Sequence, residues 1–161
     1  MFYDTDRRKV TDQRRGGRKS RRSPEIRVPA RVVKAGEAQG EALVSPEPIG
    51  FLGGVDPDTG IVIEPGHPIE SQCVTGRVLV FPTGKGSTVG SYTLYRLARN
   101  GLAPAAIVNA EADPVVAVGA VIAEIPMVDQ VDISAIQNED WVEVREGEVL
   151  VCREKGHRGC R

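Results

Sequence analysis

Short apolar runs separated by glycine and proline follow one another from Glu25 onward, and this pattern predicts a succession of strands. The predicted strands are residues 26–33, 40–44, 61–63, 78–81, 105–108 and 121–126, and a hairpin over 141–151 turns at Glu146-Gly147. Apolar residues at helical spacing predict a helix over about 89–97, and residues 114–120 are predicted to form a short helix or turn. Many short strands with one or two helices predict an α/β fold, closed or nearly closed as a barrel.

The central apolar run, Val78–Phe81, is followed by a glycine loop that leads into the predicted amphipathic helix. Gly84 and Gly86 have no Cβ atom, so the backbone at these positions can approach a ligand closely. We expect Ser87 or Thr88 to be the N-cap of the helix. The segment therefore predicts a strand, a loop and a helix in immediate succession.

This loop predicts an anion-binding site. Free N–H groups at the start of a helix and the positive end of its dipole favour negative charge, and Lys85 adds a full positive charge. A carboxylate or a phosphate is the expected ligand. An ordinary glycine turn with an N-cap is the alternative interpretation.

The loop departs from the two common nucleotide-binding motifs. A Walker A loop requires glycine where Leu79 stands, and in this chain Gly86 follows the lysine. A dinucleotide-binding fingerprint requires Gly-x-Gly-x-x-Gly, but Gly84, Gly86 and Gly90 leave one residue too many in the second gap. Both departures disfavour nucleotide binding.

Composition indicates a single soluble domain. The chain has 161 residues, of which 40% are hydrophobic, and this is enough to bury one core. No stretch approaches the roughly 18 apolar residues of a membrane span. Its three cysteines do not form the disulfide framework typical of small secreted domains. We therefore expect a cytoplasmic protein without a membrane partner.

Charge is distributed unevenly and marks the predicted boundaries. Residues 1–24 carry nine Lys or Arg against three Asp, a net charge of +6, whereas the remainder has a net charge of −7. So basic a segment with so few apolar residues is expected to be a flexible arm, solvated or lying on an acidic partner. Nucleic-acid binding is disfavoured because few aromatic residues are interleaved and the remaining chain is acidic. We predict a domain over 25–151 and a polar tail over 152–161.

Cys152, His157 and Cys160 have a spacing that invites a metal-site interpretation. A structural zinc site needs about four ligands, and Cys73, the remaining cysteine, is distant in sequence. A polar tail is therefore the preferred interpretation, and no metal site is predicted in this chain. Cys73 itself is expected to be a small buried residue.

His67 and Asp56 lie in loop sequences. His67 stands between glycine and proline, which suits either a turn or a subunit interface. Asp56 opens an Asp-Pro-Asp-Thr-Gly stretch, which is first of all a turn signal, with substrate contact as the alternative.

Five stretches of the chain resemble, in order, the small subunit of aconitase X enzymes. They are Gly50–Gly60, Gly66–Pro68, Gly76–Tyr92, Ala103–Ile107 and Ala123–Pro126. The resemblance covers about residues 26–151, and the string Pro-x-Gly-Lys-Gly-Ser-Thr-x-Gly-Ser is its most specific part. It implies the swivelling β/β/α domain of aconitases, a barrel-like single domain of the aconitase small-domain type.

The resemblance also implies a hydro-lyase that is active only with a large subunit, as a heterodimer or a dimer of heterodimers. An iron–sulfur cluster would be held by that large subunit and not by this chain. Archaeal members of the family dehydrate (R)-5-phosphomevalonate to trans-anhydromevalonate 5-phosphate in a modified mevalonate pathway, and bacterial members dehydrate cis-3-hydroxy-L-proline. The archaeal activity is the expected one. The bacterial activity and a non-catalytic barrel that binds an anion or a partner are the alternatives.

Dehydration of a β-hydroxy acid needs a base for the α-proton and donors for the carboxylate as it gains enolate character. A serine alkoxide is the base in aconitases, and the resemblance implies Ser87 for this role. Lys85 and the N–H groups of Gly86, Ser87 and Thr88 would hold an acidic group of the substrate. The loop at Gly53 and Gly54 would approach the ligand from a second side.

Deletion of residues 1–24 should leave the domain folded, because a basic segment poor in apolar residues adds little to a core. Thermal unfolding of the truncated and the full chain, followed by circular dichroism, tests this expectation. A truncated chain without a cooperative transition would mean that the arm belongs to the core.

Overall fold

The computed structural model describes residues 25–153, so the predicted arm and residues 154–161 of the predicted tail lie outside the described residues. The described residues form eight strands, two α-helices and one turn of 3-10 helix. In chain order they are β1 Glu25–Pro29, β2 Arg31–Lys34, β3 Ala38–Val44, β4 Val78–Phe81, α1 Gly90–Arg99, β5 Ala106–Asn109, α2 Pro114–Ala123, β6 Met127–Asp129, the 3-10 turn Ile133–Ala135, β7 Trp141–Arg145 and β8 Glu148–Cys152. The predicted α/β class is confirmed.

The strands form one sheet in the order β1-β8-β7-β3-β4-β5-β6-β2. Strands β3 to β6 are parallel to one another, and all other neighbours in the sheet are antiparallel. Strand β3 belongs to both halves, because its residues 38–41 pair with β7 and its residues 42–44 pair with β4. The antiparallel and the parallel half are therefore joined along a single strand.

Side chains of β4 alternate between two separate hydrophobic cores. Leu79 and Phe81 pack with residues of both helices, including Leu94 and Val116. Val78 and Val80 pack instead with the valines of β7 and β8. The order of layers is therefore antiparallel sheet, parallel sheet and helices, which is the predicted β/β/α arrangement.

The two ends of the sheet, β1 and β2, are separated in sequence by Ala30 alone. Two consecutive Cα–Cα steps span at most about 7.6 Å, so the sheet must curl to bring its ends together. Within residues 25–153 no ladder joins β1 to β2, and closure of the barrel stays a prediction. At its other end, β1 pairs with β8 so that Glu25 faces Cys152 in register.

The single strand predicted over residues 26–33 is wrong. Strand β1 pairs with β8, and β2 pairs with β6 in the other half of the sheet. Between them the Ala30 N–H donates to the Gly147 carbonyl at 3.1 Å. The chain thus crosses from one half of the sheet to the other in the middle of a stretch whose alternation of apolar residues with arginine resembles that of a single strand.

The strand predicted over residues 121–126 is also wrong, because helix α2 continues to Ala123. The Asp113 carboxylate caps the helix by accepting from the N–H groups of Val115 and Val116, and Pro114 opens its first turn. Glu124 ends it in the left-handed conformation, with φ 58°. An apolar run of valine, alanine and isoleucine carries no polar position that would reveal helical spacing, so it also fits a buried strand.

Two smaller predictions have different outcomes. Residues 61–63 do not form a ladder strand, since Ile61 and Val62 make only isolated bridges, to Cys73 and Val55. The hairpin is confirmed. Strands β7 and β8 pair without interruption, from Trp141 opposite Cys152 to Arg145 opposite Glu148. In the described part of the chain, neither helix is long and apolar enough to cross a membrane.

The buried carboxylate of Asp129 ties β2 and β6 to the loop before α2. It accepts two hydrogen bonds of 2.8 Å from the Arg31 guanidinium and one of 2.8 Å from the Ala112 N–H. Burial raises the pKa of Asp129, but the hydrogen bonds from Arg31 and Ala112 outweigh it and hold the pKa below its ordinary value. The ionised carboxylate therefore stabilises the fold.

Asp129→Asn should lower the free energy of unfolding at neutral pH by about 1–3 kcal/mol, since the change removes charge-assisted hydrogen bonds at a buried site. The stabilisation by Asp129 is fully present above the pKa of the unfolded chain, about 4, and is lost as the pH falls through the lower folded-state pKa. The difference between wild type and variant should therefore shrink in acid. Urea unfolding over a series of pH values measures it.

Asp58→Asn is the matched control, because Asp58 makes an exposed ion pair with Arg96 at 3.3 Å. Such pairs contribute about 0–1 kcal/mol, so this variant should unfold almost like the wild type. Two results would contradict a stabilising role of the ionised Asp129 carboxylate: an equal decrease in the free energy of unfolding in both variants, or a decrease for Asp129→Asn that does not depend on pH.

Candidate anion-binding and catalytic site

The carboxyl ends of the parallel strands β3, β4 and β5 meet at one edge of the sheet, which is where α/β folds commonly bind ligands. Three loops converge there. Ile49, after β3, forms a parallel bridge with Gly84, after β4. A Cβ atom on Gly84 would lie 2.5 Å from Val116 Cγ2 and 3.1 Å from the carboxylate of Asp113, after β5. The loop after β4 is therefore held between its two neighbours.

The segment at Ile49 and Gly50 holds the backbone of Lys85. The Ile49 N–H donates to the Thr83 carbonyl at 3.2 Å, and the Lys85 N–H donates to the Ile49 carbonyl at 3.1 Å. A Cβ atom on Gly50 would lie only 2.9 Å from the Lys85 carbonyl oxygen. Glycine at position 50 is thus a requirement of the close approach between these two backbones.

Helix α1 begins at Gly90, and its N-cap residue is Val89, which makes no side-chain capping bond. The predicted N-cap at Ser87 or Thr88 is therefore wrong. Instead, a turn precedes the helix, in which the Ser87 carbonyl accepts from the Gly90 N–H at 2.9 Å. The Ser87 hydroxyl oxygen accepts from the Val89 N–H at 3.1 Å. Ser87 and Thr88 are both exposed.

Three consecutive backbone N–H groups of the loop, those of Gly86, Ser87 and Thr88, have no acceptor within the described part of the chain. Gly86 has φ +91°, a conformation that residues with a side chain rarely adopt. Exposed N–H groups in succession can donate together to one anion. The loop thus carries the donors that the sequence predicted, although they lie just before the helix and not on its first turn.

The side chain of Lys85 is paired with a residue that the sequence did not identify. Its ammonium donates to Glu64 Oε2 at 2.9 Å. The other carboxylate oxygen, Glu64 Oε1, lies 3.7 Å from the position that a Cβ atom on Gly54 would take. Glu64 therefore lies between the two loops that were predicted to contact the ligand, those of Lys85 and of Gly54.

The loop at Gly53 and Gly54 packs on the same backbone as Lys85. A Cβ atom on Gly54 would overlap the Gly50 carbonyl oxygen, and the Gly54 carbonyl accepts from the Ile63 N–H at 2.8 Å. Gly53 has φ +79° and is exposed. The structure thus brings both predicted loops together around Gly50.

Asn109, the last residue of β5, is a second residue that sequence reasoning missed. It is fully buried, and its side-chain amide donates to the carbonyls of Phe81, at 3.0 Å, and of Val108, at 3.2 Å. The bond to Phe81 fixes the end of β4, where the candidate loop begins. A polar residue at the end of an otherwise apolar strand was the available signal.

His67 and Asp56 have local structural roles. His67 is buried, its Nε2 bonds to the Pro48 carbonyl at 3.0 Å, and its Nδ1 accepts from the Ile69 N–H at 3.3 Å. The histidine thus fixes the chain just before Ile49. Asp56 Oδ1 accepts from the Asp58 N–H at 2.9 Å, as expected for the predicted turn. Both contacts support the structural interpretations of these residues.

The expectation that Cys73 is buried is wrong. Cys73 is exposed and its thiol bonds to Thr75 Oγ1 at 3.3 Å, whereas the next residue, Val74, fills the core position at this bridge. His157 and Cys160 lie outside the described residues. Between residues 25 and 153 no group of three or more His, Cys, Asp or Glu could hold a metal ion. These residues therefore do not fit an iron–sulfur cluster.

Fold and site together define a β/β/α domain that carries an exposed glycine loop, with three N–H groups lacking an acceptor in the described part of the chain, at the carboxyl edge of its parallel strands. The model of the aconitase X swivel domain matches residues 27–152, and the chain belongs to this family. The resemblance stated from sequence is thereby confirmed.

Several well-matched relatives carry one name. The phosphomevalonate dehydratase small subunit of Methanosarcina acetivorans is 49% identical over 138 residues, which cover 83% of this chain and 96% of that protein. The subunit of the same name from Thermococcus onnurineus is 50% identical over 126 residues, which cover 78% and 97%. The crystal structure of Thermococcus kodakaraensis aconitase X in its holo-form superposes with a TM-score of 0.77 at 48% identity, covering 78% of this chain and 98% of that chain.

Gly54→Ala should lower the free energy of unfolding by about 1–3 kcal/mol or more, because its Cβ atom would overlap the Gly50 carbonyl oxygen and force open the turn over residues 50–54. Gly90→Ala is the matched control, since its Cβ atom would meet neighbours at ordinary distances of 3.5–3.7 Å. That variant should be neutral or stabilised by up to about 1 kcal/mol. Chemical unfolding of both variants checks the packing, and an unchanged stability of Gly54→Ala would contradict it.

Proposed function

We propose that this chain is the small subunit of a phosphomevalonate dehydratase, a hydro-lyase that converts (R)-5-phosphomevalonate to trans-anhydromevalonate 5-phosphate in a mevalonate pathway. The observation that carries the proposal is the identity of about one half to relatives of that name, over nearly their whole length. Free N–H groups beside an exposed lysine support it, because the substrate has two acidic groups.

The proposed enzyme includes a larger partner subunit, which the name of the relatives implies. The aconitase-like family implies an iron–sulfur cluster, and residues 25–153 offer no ligand set for one. We therefore assign the cluster to the larger subunit and propose a heterodimer or a dimer of heterodimers. Cytoplasmic localisation and the absence of nucleic-acid and membrane partners remain predictions.

Ser87 is the proposed base for the α-proton of the substrate. A serine hydroxyl is a weak acid, so its use as a base requires an environment that favours the ionised oxygen. The hydrogen bond from the Val89 N–H to Ser87 Oγ supplies part of that requirement, and the exposure of Ser87 leaves it accessible. Transfer of the α-proton to the Ser87 oxygen leaves the electron pair of the C–H bond to form the carbon–carbon double bond. The β-hydroxyl departs as hydroxide, which takes one proton from the solvent to become water.

Lys85 and the N–H groups of Gly86, Ser87 and Thr88 are the proposed donors to an acidic group of the substrate. Donors fixed before the substrate arrives do not have to reorganise as negative charge develops on the carboxylate. The loop meets this condition because the Ile49 segment holds its backbone. The residues at Gly53 and Gly54 form the second side of the proposed site.

Ser87→Ala should reduce turnover by about two to four orders of magnitude, the usual contribution of a positioned acid or base. The variant should assemble normally, since it loses a single hydroxyl. Steady-state kinetics of the enzyme assembled with its larger subunit, with (R)-5-phosphomevalonate and with cis-3-hydroxy-L-proline, provide the measurement. Ser134→Ala, which removes a hydroxyl of the exposed 3-10 turn, is the control and should retain full turnover.

Lys85→Ala should act differently in the same assay and mainly raise KM, because a cation that holds an acidic group contributes to both the ground state and the transition state. Near-normal turnover of correctly assembled Ser87→Ala would remove that residue from the mechanism. Turnover of cis-3-hydroxy-L-proline alone would contradict the proposed substrate.

A further inference from the structure

The positive charge at the candidate site is already neutralised from within the chain. Lys85 and Glu64 form an ion pair with a 2.9 Å contact, and their side chains are 45% and 31% exposed. An anion that approaches the free N–H groups of the loop therefore meets a neutral pair and not an isolated ammonium.

This ion pair is not what holds the loop in place. Exposed ion pairs contribute little to stability. The backbone of Lys85 is fixed by its hydrogen bond to the Ile49 carbonyl. The methylene groups of the Lys85 side chain lie against Gly50, with Cγ 3.3 Å from the position that a Cβ atom on Gly50 would take. The carboxylate of Glu64 is thus free to leave without loss of the loop conformation.

Little opposes the departure of the Glu64 carboxylate. Its one hydrogen bond within the described residues is that to Lys85. Gly54 presents no side chain beside Oε1, and the carboxylate is partly in contact with solvent. Rotation of the glutamate side chain toward water therefore costs this one bond.

We propose that Glu64 is a displaceable internal anion that determines how strongly the site binds its ligand. Before the substrate binds, the Glu64 carboxylate accepts the hydrogen bond of the Lys85 ammonium. The acidic group of the substrate, a carboxylate or a phosphate, then takes the place of the Glu64 carboxylate. The inference rests on the proposed function in taking Lys85 as a substrate-binding residue. It predicts that Glu64 weakens anion binding and takes no part in the proton transfer.

Glu64→Gln tests this inference, with inorganic phosphate as the probe and the full chain as the protein. Titrations followed by the amide resonances of Gly86 and Thr88 should show about two- to fivefold tighter binding in the variant, the range that exposed ion pairs represent. Glu70→Gln is the matched control. It removes the same charge from a carboxylate whose partner is the Gly66 N–H and not Lys85, and it should bind phosphate like the wild type.

A second variant tests whether Glu64 acts through Lys85. In a Lys85→Ala background, Glu64→Gln should no longer change phosphate affinity, because no ammonium remains for the carboxylate to occupy. If Glu64→Gln still tightened phosphate binding by the same factor in the Lys85→Ala background, the effect would come from the removal of a negative charge and not from Lys85. That result would overturn the inference. Equal phosphate affinity of Glu64→Gln and Glu70→Gln would overturn it as well.

Kinetics of the assembled enzyme give an independent measurement. With (R)-5-phosphomevalonate, Glu64→Gln should lower KM about two- to fivefold and leave kcat unchanged. A raised KM for Glu64→Gln would mean that Glu64 orients Lys85 for the substrate. That result would overturn the proposal that the substrate displaces the Glu64 carboxylate. A wild-type enzyme without turnover would contradict the proposed function instead, and the phosphate titration would then decide the role of Glu64 by itself.

Discussion

The close approach of the Gly50 and Lys85 backbones is the constraint on which the candidate site depends. It extends the pairing of the parallel sheet beyond the end of β4, because Ile49 both donates to and accepts from the following loop. Gly84 is held against the start of α2 on the other side. An exposed loop thereby obtains a defined conformation from two neighbours, and the cost of ordering its N–H groups is met during folding, before any ligand binds.

The position of the loop depends in turn on β4, all four residues of which are buried. One face of this strand packs on the helices and the other on the antiparallel half of the sheet. The bond from Asn109 to the Phe81 carbonyl fixes its last residue. A loop that must hold donors in fixed positions is therefore attached to a strand buried on both faces.

Local patterns in the sequence predicted the elements that local interactions determine. The hairpin was predictable because Gly147 supplies the positive φ of its turn, and the loop after β4 because its glycines interrupt an apolar run. The division of this segment into β1 and β2 at Ala30 was not predictable from local sequence, because it depends on the distant strands with which β1 and β2 pair. Glu64 was missed for the same reason: its partner Lys85 is 21 residues away, and nothing in the surrounding sequence marks the contact.

The register of β1 with β8 has a further consequence for how this domain can be connected to other chains. Glu25 and Cys152 face each other across one ladder, so the first and last described strands begin and end about 5 Å apart. A linker attached at either strand would leave from the same corner of the fold. The domain could therefore be inserted as a unit within a larger polypeptide, or its chain could be circularly permuted, without separating any pair of strands in the sheet.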